Sequence, residues 1–331
     1  MIRHDVFGMC NALYDAQAEV DDAFLARLGL AKGTMQLVDE AREAQLLPLV
    51  ESHLVHHEAG GSGANTMIGL ALLGGQACFT SRVGPDRYGA LYRASLARQG
   101  VQANLGAGRG RTGVALILIT PDAQRTILTY LGDSQALERA DVSIPDIEAS
   151  RWLYLTGYLW DTDSQKDAFL FALDAARRAR VKVAFNLSDP FCVNRHLDDF
   201  RRLVGLEGGP GVDLVVGNAE EAKMLTGEHD AGAAARALAA RAGLAAVTRD
   251  ASGSVIDDGR EAHAIPAFPV KAVDTTGAGD MFAAGLLYGL THGLSLPAAG
   301  RVGSYAAAQV VAKLGPRLEA LDRGAIAELS R

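Results

Sequence analysis

Apolar runs and helical stretches alternate regularly through the second half of the chain. Short apolar runs predict strands at 152–156, 181–186, 213–217 and 244–248. Apolar residues with helical spacing predict helices near 163–179, 195–204, 219–225 and 231–241. Strands that alternate with helices are typical of a parallel sheet covered by helices, so the pattern predicts an α/β fold.

The first half of the chain begins with the same pattern. Residues 6–9 indicate a short buried strand, and a glycine-rich turn at 60–65 opens an apolar helix. A strand over 77–80 follows that helix, and a further helix over 88–99 ends at Gly100. The order strand, glycine turn, helix, strand is the crossover order of a parallel sheet.

Two stretches of the first half depart from this alternation. Residues 12–58 mix short strand-like pieces with one helix-like run, and 114–119 with 125–130 indicate a hairpin. We expect these stretches to form a small β-sheet lid, made of about 12–58 and 105–131. The rest shows no linker and no internal repeat, so we expect a single domain over 1–331.

Composition and charge narrow the class of partner. The chain has 331 residues, of which 49% are hydrophobic and 21% charged, and its net charge is −7. This negative charge argues against a nucleic-acid partner, and the absence of a long apolar run argues against a membrane partner. The three cysteines are widely separated, which favours a reducing compartment, so we expect a cytoplasmic protein. We expect it to be a monomer or a homodimer.

The stretch 273–286 carries the clearest chemical signal. A polar turn containing Gly277, Ala278 and Gly279 leads directly into an apolar helix, and Asp280 lies at the junction. The free N–H groups of a helix N-terminus form an anion site, which a neighbouring carboxylate would oppose. The carboxylate makes sense if it takes a proton while the turn holds a phosphoryl group. We therefore predict phosphoryl transfer to a hydroxyl, with Asp280 as general base.

A second glycine turn at 60–65 supports a ligand site. The glycines permit close approach of a ligand to the backbone, and Asn65 can bind a sugar hydroxyl through both ends of its amide. Neither turn has the spacing of a dinucleotide-binding motif, and the P-loop motif is absent from the sequence. The alternative for each turn is a tight loop before a buried helix.

Asn218 and Glu221 lie directly after a predicted strand. As local structure, they form a capping box at the start of a helix. As function, they face the phosphates from the strand end, and Glu221 orders Mg²⁺ through its water ligands. The two interpretations are compatible, and the residues alone do not separate them.

These motifs resemble the PfkB carbohydrate kinases, the ribokinase-like family. The turn at 60–65, Gly84-Pro85-Asp86, Asn218-Ala219-Glu220-Glu221 and Asp274-Thr275-Thr276-Gly277-Ala278-Gly279-Asp280 resemble its signatures. The resemblance implies a Rossmann-like αβα layered domain with a small β-sheet lid, and the use of ATP and Mg²⁺. It also implies that Asp280 is the catalytic base and that residues 277–279 form the anion hole.

Within the family, several stretches look most like adenosine kinases. That likeness implies an arginine near the phosphates, Arg125, and a substrate site formed by Asn11, Leu13, Asp15, Leu37, Gly60, Gly61, Ser62 and Asn65. It implies a nucleotide site formed by Asn218, Thr248, Ser252, Gly253, Gly277 and Gly279. It also implies a K⁺ ion near Asp274, Thr276, Val310, Lys313 and Gly315. Asp250 departs from the family, which often has glycine in this nucleotide turn.

These observations predict an ATP-dependent kinase for the 5′-hydroxyl of a nucleoside, with adenosine as the expected substrate. Two alternatives stay open. One is a kinase for ribose, fructose or a keto-deoxy acid, because Asp15 and Asn65 would serve a free sugar as well. The other is a catalytically silent nucleoside- or sugar-binding protein, which intact Asp280 and Glu221 oppose and Asp250 leaves open.

Overall fold

A computed structural model describes residues 1–122, 124–209 and 211–331. The strands are β1 His4–Met9, β2 Leu13–Glu19, β3 Met35–Leu37, β4 Leu54–Gly60, β5 Ala77–Val83, β6 Gln102–Ala107, β7 Gly113–Ile119, β8 Arg125–Tyr130, β9 Ser150–Thr156, β10 Lys182–Asn186, β11 Leu214–Asn218, β12 Ala245–Thr248, β13 Ser254–Asp257 and β14 Ala262–Ile265. The helices are α1 Asp22–Arg27, α2 Glu40–Val50, α3 Ser62–Leu73, α4 Arg87–Arg98, α5 Ile144–Glu148, α6 Asp163–Ala179, α7 Pro190–Arg195, α8 Leu197–Leu203, α9 Ala219–Thr226, α10 Ala231–Ala242, α11 Ala278–Thr291, α12 Leu296–Val311 and α13 Arg323–Leu329.

The large sheet has the strand order β14-β13-β12-β11-β10-β9-β1-β5-β6. Its strands from β12 to β6 are parallel, and β13 and β14 extend it as an antiparallel hairpin. Helices cover both faces, as the alternation in the sequence predicts. In β9, Leu153 and Leu155 pack toward α6, whereas Tyr154 packs toward α3 and α11. The predicted α/β class with a layered αβα arrangement is confirmed.

The small sheet has the order β3-β8-β7-β2-β4, and its strands come from residues 13–60 and 113–130. The hairpin expected over 114–119 and 125–130 is the antiparallel pair β7–β8. The boundary expected at 105 differs, because residues 105–107 belong to β6, which pairs with β5 in the large sheet. The alternation of polar and apolar residues does not show which of two sheets a strand joins.

The helix expected near 195–204 is α8, Leu197–Leu203, and a separate short helix, α7, precedes it. Asp189 caps α7 by accepting a hydrogen bond from Cys192 N–H. His196 then has φ −120°, outside the helical region, and separates α7 from α8. Within the described ranges, no helix is long and apolar enough to cross a membrane.

Candidate active site

The carboxyl ends of five neighbouring parallel strands open into one cavity of about 1270 Å³. The residues at or just after these strand ends that line it are Asn11, Tyr158, Ser188, Asn218 and Thr248. The small sheet and the N-terminus of α11 complete the wall. Ligands of open α/β sheets bind at this edge, and the volume accommodates two small ligands side by side.

The N-terminus of α11 presents backbone N–H groups to the cavity. Gly277 caps the helix with φ +78°, and a Cβ there would lie 2.5 Å from the carbonyl oxygen of Pro316, so glycine is required. A Cβ at Gly279 would meet no atom within 4 Å, because this residue faces open space. Ala278 N–H donates to the carbonyl of Thr275 (3.2 Å), whereas those of Gly277 and Gly279 have no acceptor among the described residues. The predicted three-residue anion hole therefore has two free donors, because the turn uses Ala278.

Asp280 lies deep in the cavity, in the first turn of α11. Its Oδ1 accepts a hydrogen bond from Ser62 Oγ (2.6 Å), and its Oδ2 accepts one from Asn65 Nδ2 (3.0 Å). Burial raises the pKa of Asp280, while these two donors and the guanidinium of Arg317 lower it. Ser62 and Asn65, predicted as substrate-binding residues, therefore also hold the carboxylate in place.

Arg317 is the principal site residue that the sequence analysis missed. It is 4% exposed, and its Nε donates to Asn65 Oδ1 (3.0 Å). The prediction that both ends of the Asn65 amide face a sugar needs correction, since one end contacts Arg317 and the other Asp280. A single arginine in a C-terminal loop, after Gly315-Pro316, carries no pattern that would have identified it.

Asp15 lines the cavity from β2 of the small sheet. It is 6% exposed and lies opposite Glu58 of β4. Burial raises its pKa to about 7, against the opposing effect of Arg317. A Cβ at Gly60 would lie 2.2 Å from Asp15 Oδ1, so Gly60 makes room for this carboxylate and does not itself line the cavity.

Asn11 and Gly61 bring the end of β1 against the start of α3. Asn11 lines the cavity, and its Oδ1 accepts a hydrogen bond from Gln165 Nε2 (2.5 Å), so its amide N–H₂ is the group left for a ligand. Gly61 has φ +88°, and a Cβ there would lie 2.5 Å from the carbonyl oxygen of Asn11. Gln165, another residue that the sequence analysis missed, thus orients a predicted substrate contact.

Asn218 and Glu221 form the predicted capping box at the start of α9. Asn218 Oδ1 accepts from Glu221 N–H (2.9 Å), and Glu221 Oε2 accepts from Asn218 N–H (2.9 Å). Both residues also line the cavity, so the structural and the functional interpretation coexist. Burial, together with the nearby carboxylate of Asp189, raises the pKa of Glu221 to about 7 against the hydrogen bonds from Asn218. A divalent cation beside Glu221 and Asp189 would relieve this repulsion, so these acids suit Mg²⁺ held through water.

The nucleotide turn after β12 differs in part from the prediction. Thr248 and Gly253 line the cavity, but Ser252 is exposed and does not. Asp250 also lines the cavity and has φ +50°, a left-handed conformation that is uncommon for a non-glycine residue. The missing glycine therefore leaves the turn geometry intact and adds a carboxylate at the cavity mouth.

Arg125 joins the small sheet to the loop before α11. Its Nη2 lies 2.6 Å from Asp274 Oδ2, and its Nη1 donates to Thr276 Oγ1 (3.1 Å). Asp274 also accepts from Thr276 Oγ1 (2.7 Å) and from Gly315 N–H (2.9 Å). The guanidinium thus contacts the residue before the glycine turn but does not line the cavity, and its predicted place near the phosphates stays a prediction.

The residues expected around K⁺ lie in the same region. Asp274, Thr276 and Gly315 are joined by the hydrogen bonds of Asp274, and Val310 and Lys313 lie at the end of α12. The carbonyl of Val310 accepts from Lys313 N–H (3.2 Å), so it takes part in the helix end. The K⁺ site stays a prediction.

The small sheet contributes an apolar wall opposite the polar end of the cavity. Leu13 and Leu37, predicted as substrate-binding residues, both line the cavity. Further apolar lining residues from the same sheet are Met35, Ala115, Ile117 and Ile127. Leu37 is 61% exposed and Met35 58% exposed, although both are large apolar side chains facing a cavity. An apolar wall of this kind suits an apolar ligand surface.

The ionisable lining of the cavity is strongly acidic. Its lining carboxylates are Asp15, Asp161, Asp189, Glu221, Asp250 and Asp280. The cation that lines it, within the described part of the chain, is Arg195, which is already paired with Asp161. Such a lining disfavours a negatively charged acceptor and calls for a cation wherever phosphates bind.

The chain is similar to kinases of known sequence and structure. The sequence profile of the pfkB family carbohydrate kinases matches residues 25–322. Fructokinase from Klebsiella pneumoniae is 33% identical over 263 residues, which are 75% of this chain and 82% of that protein. A probable sugar kinase protein from Rhizobium etli CFN 42 has a crystal structure that is 35% identical, with a TM-score of 0.88 and 99% of each chain covered.

A second crystal structure, that of adenosine kinase from Sinorhizobium meliloti, is also 35% identical. It superposes with a TM-score of 0.85 over 98% of this chain and 99% of that chain. The profile match extends over most of the sequence, and these structures cover nearly all of it. The chain therefore belongs to the pfkB family of carbohydrate kinases, phosphotransferases that act on hydroxyl groups.

Proposed function

We propose that this protein transfers the γ-phosphoryl group of ATP to the 5′-hydroxyl of adenosine. The observation that carries the proposal is the division of the acceptor site into a polar and an apolar part. Asp15 and Asn65 lie at the polar part, beside Asp280, and the side chains of the small sheet form the apolar part. A nucleoside matches this division, because its ribose is polar and its base offers a large apolar face.

The charge of the cavity supports an uncharged acceptor. A keto-deoxy acid would bring a further carboxylate close to Asp15 and Asp280. The guanidinium that acts on both of these carboxylates is that of Arg317. Repulsion between like charges in a buried site would strongly weaken the binding of such a substrate. Adenosine and the neutral sugars are free of this penalty.

The chemistry follows from the groups around Asp280. Its carboxylate accepts the proton of the 5′-hydroxyl as the hydroxyl oxygen bonds to the γ-phosphorus and the bond to the leaving ADP oxygen breaks. Ser62 and Asn65 hold the carboxylate in position through their hydrogen bonds. The N–H groups of Gly277 and Gly279 stabilise the charge of the transferring group, and Arg125 holds Thr276 of the same turn in place.

ATP is used with Mg²⁺ in this family. Here Mg²⁺ would neutralise phosphate charge in an otherwise acidic cavity. Glu221, with its neighbour Asn218, would hold the water ligands of the ion, and Thr248 with Gly253 would border the nucleotide. We place K⁺ near Asp274 on the family resemblance.

The second candidate is a kinase for a free neutral sugar. The observation in its favour is the 33% identity to a fructokinase. Asp15, Asn65 and Asp280 would bind a sugar equally well, but a sugar would leave the apolar wall of Leu13 and Leu37 facing water. That exposed wall is the reason for ranking the nucleoside first.

An ADP-release assay against adenosine, other nucleosides, ribose and fructose tests the proposal. We expect adenosine to give the highest kcat/KM. The matched control is 5′-deoxyadenosine, which keeps the base and the remaining ribose hydroxyls and should bind without releasing ADP. A free sugar that outperforms every nucleoside would show that the second candidate is correct.

The binding of the acceptor should depend on the protonation of Asp15. Its pKa is raised to about 7, so the carboxylate is charged above that pH and neutral below it. The charged form accepts two ribose hydroxyls, whereas the neutral form has one oxygen that donates. We therefore expect the Kd of adenosine, measured calorimetrically without ATP, to rise as pH falls from 8.5 to 5.5.

The control for this prediction is Asp15→Asn, which has nearly the same shape and does not titrate. Its Kd should be higher than that of the wild type at pH 8.5 and nearly constant over the same range. If the Kd of the variant depended on pH as strongly as that of the wild type, another group would be the one that titrates, and Asp15 would not control acceptor binding.

A further inference from the structure

Arg317 lies behind the active site and does not line the cavity. Its Nε donates to Asn65 Oδ1 (3.0 Å), and its Nη1 lies 3.5 Å from Glu58 Oε2. The terminal nitrogens form no hydrogen bond within the described residues, although the side chain is 4% exposed. Burying a guanidinium with unpaired terminal nitrogens is costly, so its contact with Asn65 and its charge beside Glu58 call for an explanation.

We propose that Arg317 is a positioning residue for the kinase reaction, acting through Asn65 on Asp280. The inference rests on the proposed role of Asp280 as base. It adds a residue outside the cavity to the machinery and states how that residue acts. The residues involved form one chain of contacts, from Arg317 to Asn65 to Asp280.

The direction of the two hydrogen bonds supports this role. Arginine has only donors, so the group of Asn65 that faces Arg317 must be its carbonyl oxygen. The amide nitrogen is then forced toward Asp280, where it donates to Oδ2. Without Arg317 the carbonyl oxygen of Asn65 would lose its donor, and the hydrogen bond to Asp280 alone would hold the amide. Arg317 thus fixes a donor at Asp280, together with Ser62 on the other oxygen.

Arg317 also supplies positive charge where several carboxylates meet. It lowers the pKa of Asp280 and of Asp15, both of which burial raises, and it lowers that of Glu58. The remaining titratable groups that face Asp280 belong to other elements: Cys10 after β1, Tyr154 on β9 and Tyr158 after it. Burial raises the pKa of each of these, so they are neutral near pH 7 and leave Arg317 as the cation beside Asp280. His56 and Lys313 act on Glu58, and His56 also acts on Asp15.

A double-mutant cycle with Arg317→Met and Asn65→Ala tests the proposal in the full-length protein. The acceptor is the compound that gives the fastest ADP release, so the result does not depend on the identity of the substrate. We expect each single variant to lower kcat by about 10–100-fold, as for a displaced catalytic group. The double variant should be no slower than the slower single variant, because both changes remove the same chain of contacts.

The pH profile separates positioning from a general loss of structure. Loss of the cation raises the pKa of Asp280 further, so the acid limb of kcat should move to higher pH in Arg317→Met. Arg317→Lys keeps the charge and should leave the limb in place, while still lowering kcat. A merely structural role would reduce the active fraction without moving the limb.

Two outcomes would overturn the proposal: an unchanged kcat in Arg317→Met, or a double variant whose loss equals the product of the single losses. If Arg317→Met does not fold, Arg317→Lys takes its place in the cycle. The proposal is then overturned if Arg317→Lys lowers kcat by the same factor in the Asn65→Ala background as in the wild type. Asp280→Asn is measured in parallel. Full turnover in that variant would disprove the assignment of the base itself, whatever the outcome of the cycle.

Discussion

Asp280→Asn is expected to lower kcat by about 10²–10⁴-fold, the usual range for loss of a general base. The amide that replaces the carboxylate has almost the same shape but cannot accept the proton of the acceptor hydroxyl. Its oxygen can still accept from Asn65 Nδ2, and its nitrogen can donate to Ser62 Oγ, so the two contacts persist. The loss should therefore appear in kcat, measured by ADP release at saturating substrates, with little change in the melting temperature.

The chain offers a matched control for this substitution. Asp257 on β13 is 2% exposed and accepts a hydrogen bond from Gly259 N–H (2.8 Å), remote from the residues of the active site. Asp257→Asn should leave kcat unchanged, even if it lowers the melting temperature. Turnover of Asp280→Asn within a few-fold of the wild type would rule out the proposed base and leave transfer to positioning and electrostatics alone.

The parts of the site that the sequence predicted are local in the chain. Asp280, Gly277 and Gly279 belong to one helix start, and a glycine turn before an apolar helix carries its meaning in consecutive residues. Asn218 and Glu221 are likewise one capping box. Spacing alone therefore predicted that the residues of each group lie close together. The structure adds that the two groups line the same cavity.

The parts that the sequence did not predict depend on distant segments. Arg317 contacts Asn65 across 252 positions and Gln165 contacts Asn11 across 154 positions, so no periodicity links either pair. The prediction that Asn65 offers both amide ends to a substrate was wrong for the same reason. The lid boundary at 105 failed because β6 pairs with β5, and the choice between two sheets depends on tertiary packing.

Gly279→Ala should lower kcat by about 10²-fold while leaving the fold intact. Its Cβ would enter open space in the cavity, at the N–H groups that hold the transferring phosphoryl group, and would displace that group. The helix itself should tolerate the methyl group, because alanine in place of a helical glycine favours the folded state by roughly 0.5–1 kcal/mol. We expect lower kcat together with an equal or higher melting temperature, which distinguishes this variant from one that merely unfolds.

The matched control is Gly232→Ala in α10. Gly232 and Gly279 each occupy the second position of their helix, but Gly232 lies beside the capping Asp230 and away from the cavity. A Cβ at Gly232 would lie 3.2 Å from Asp230 Oδ1, a contact that a small shift of the side chain relieves. Gly232→Ala should therefore keep wild-type kcat. If Gly279→Ala were equally active, the phosphoryl group would have to bind away from the start of α11, since a methyl group beside these N–H groups cannot share their space with it.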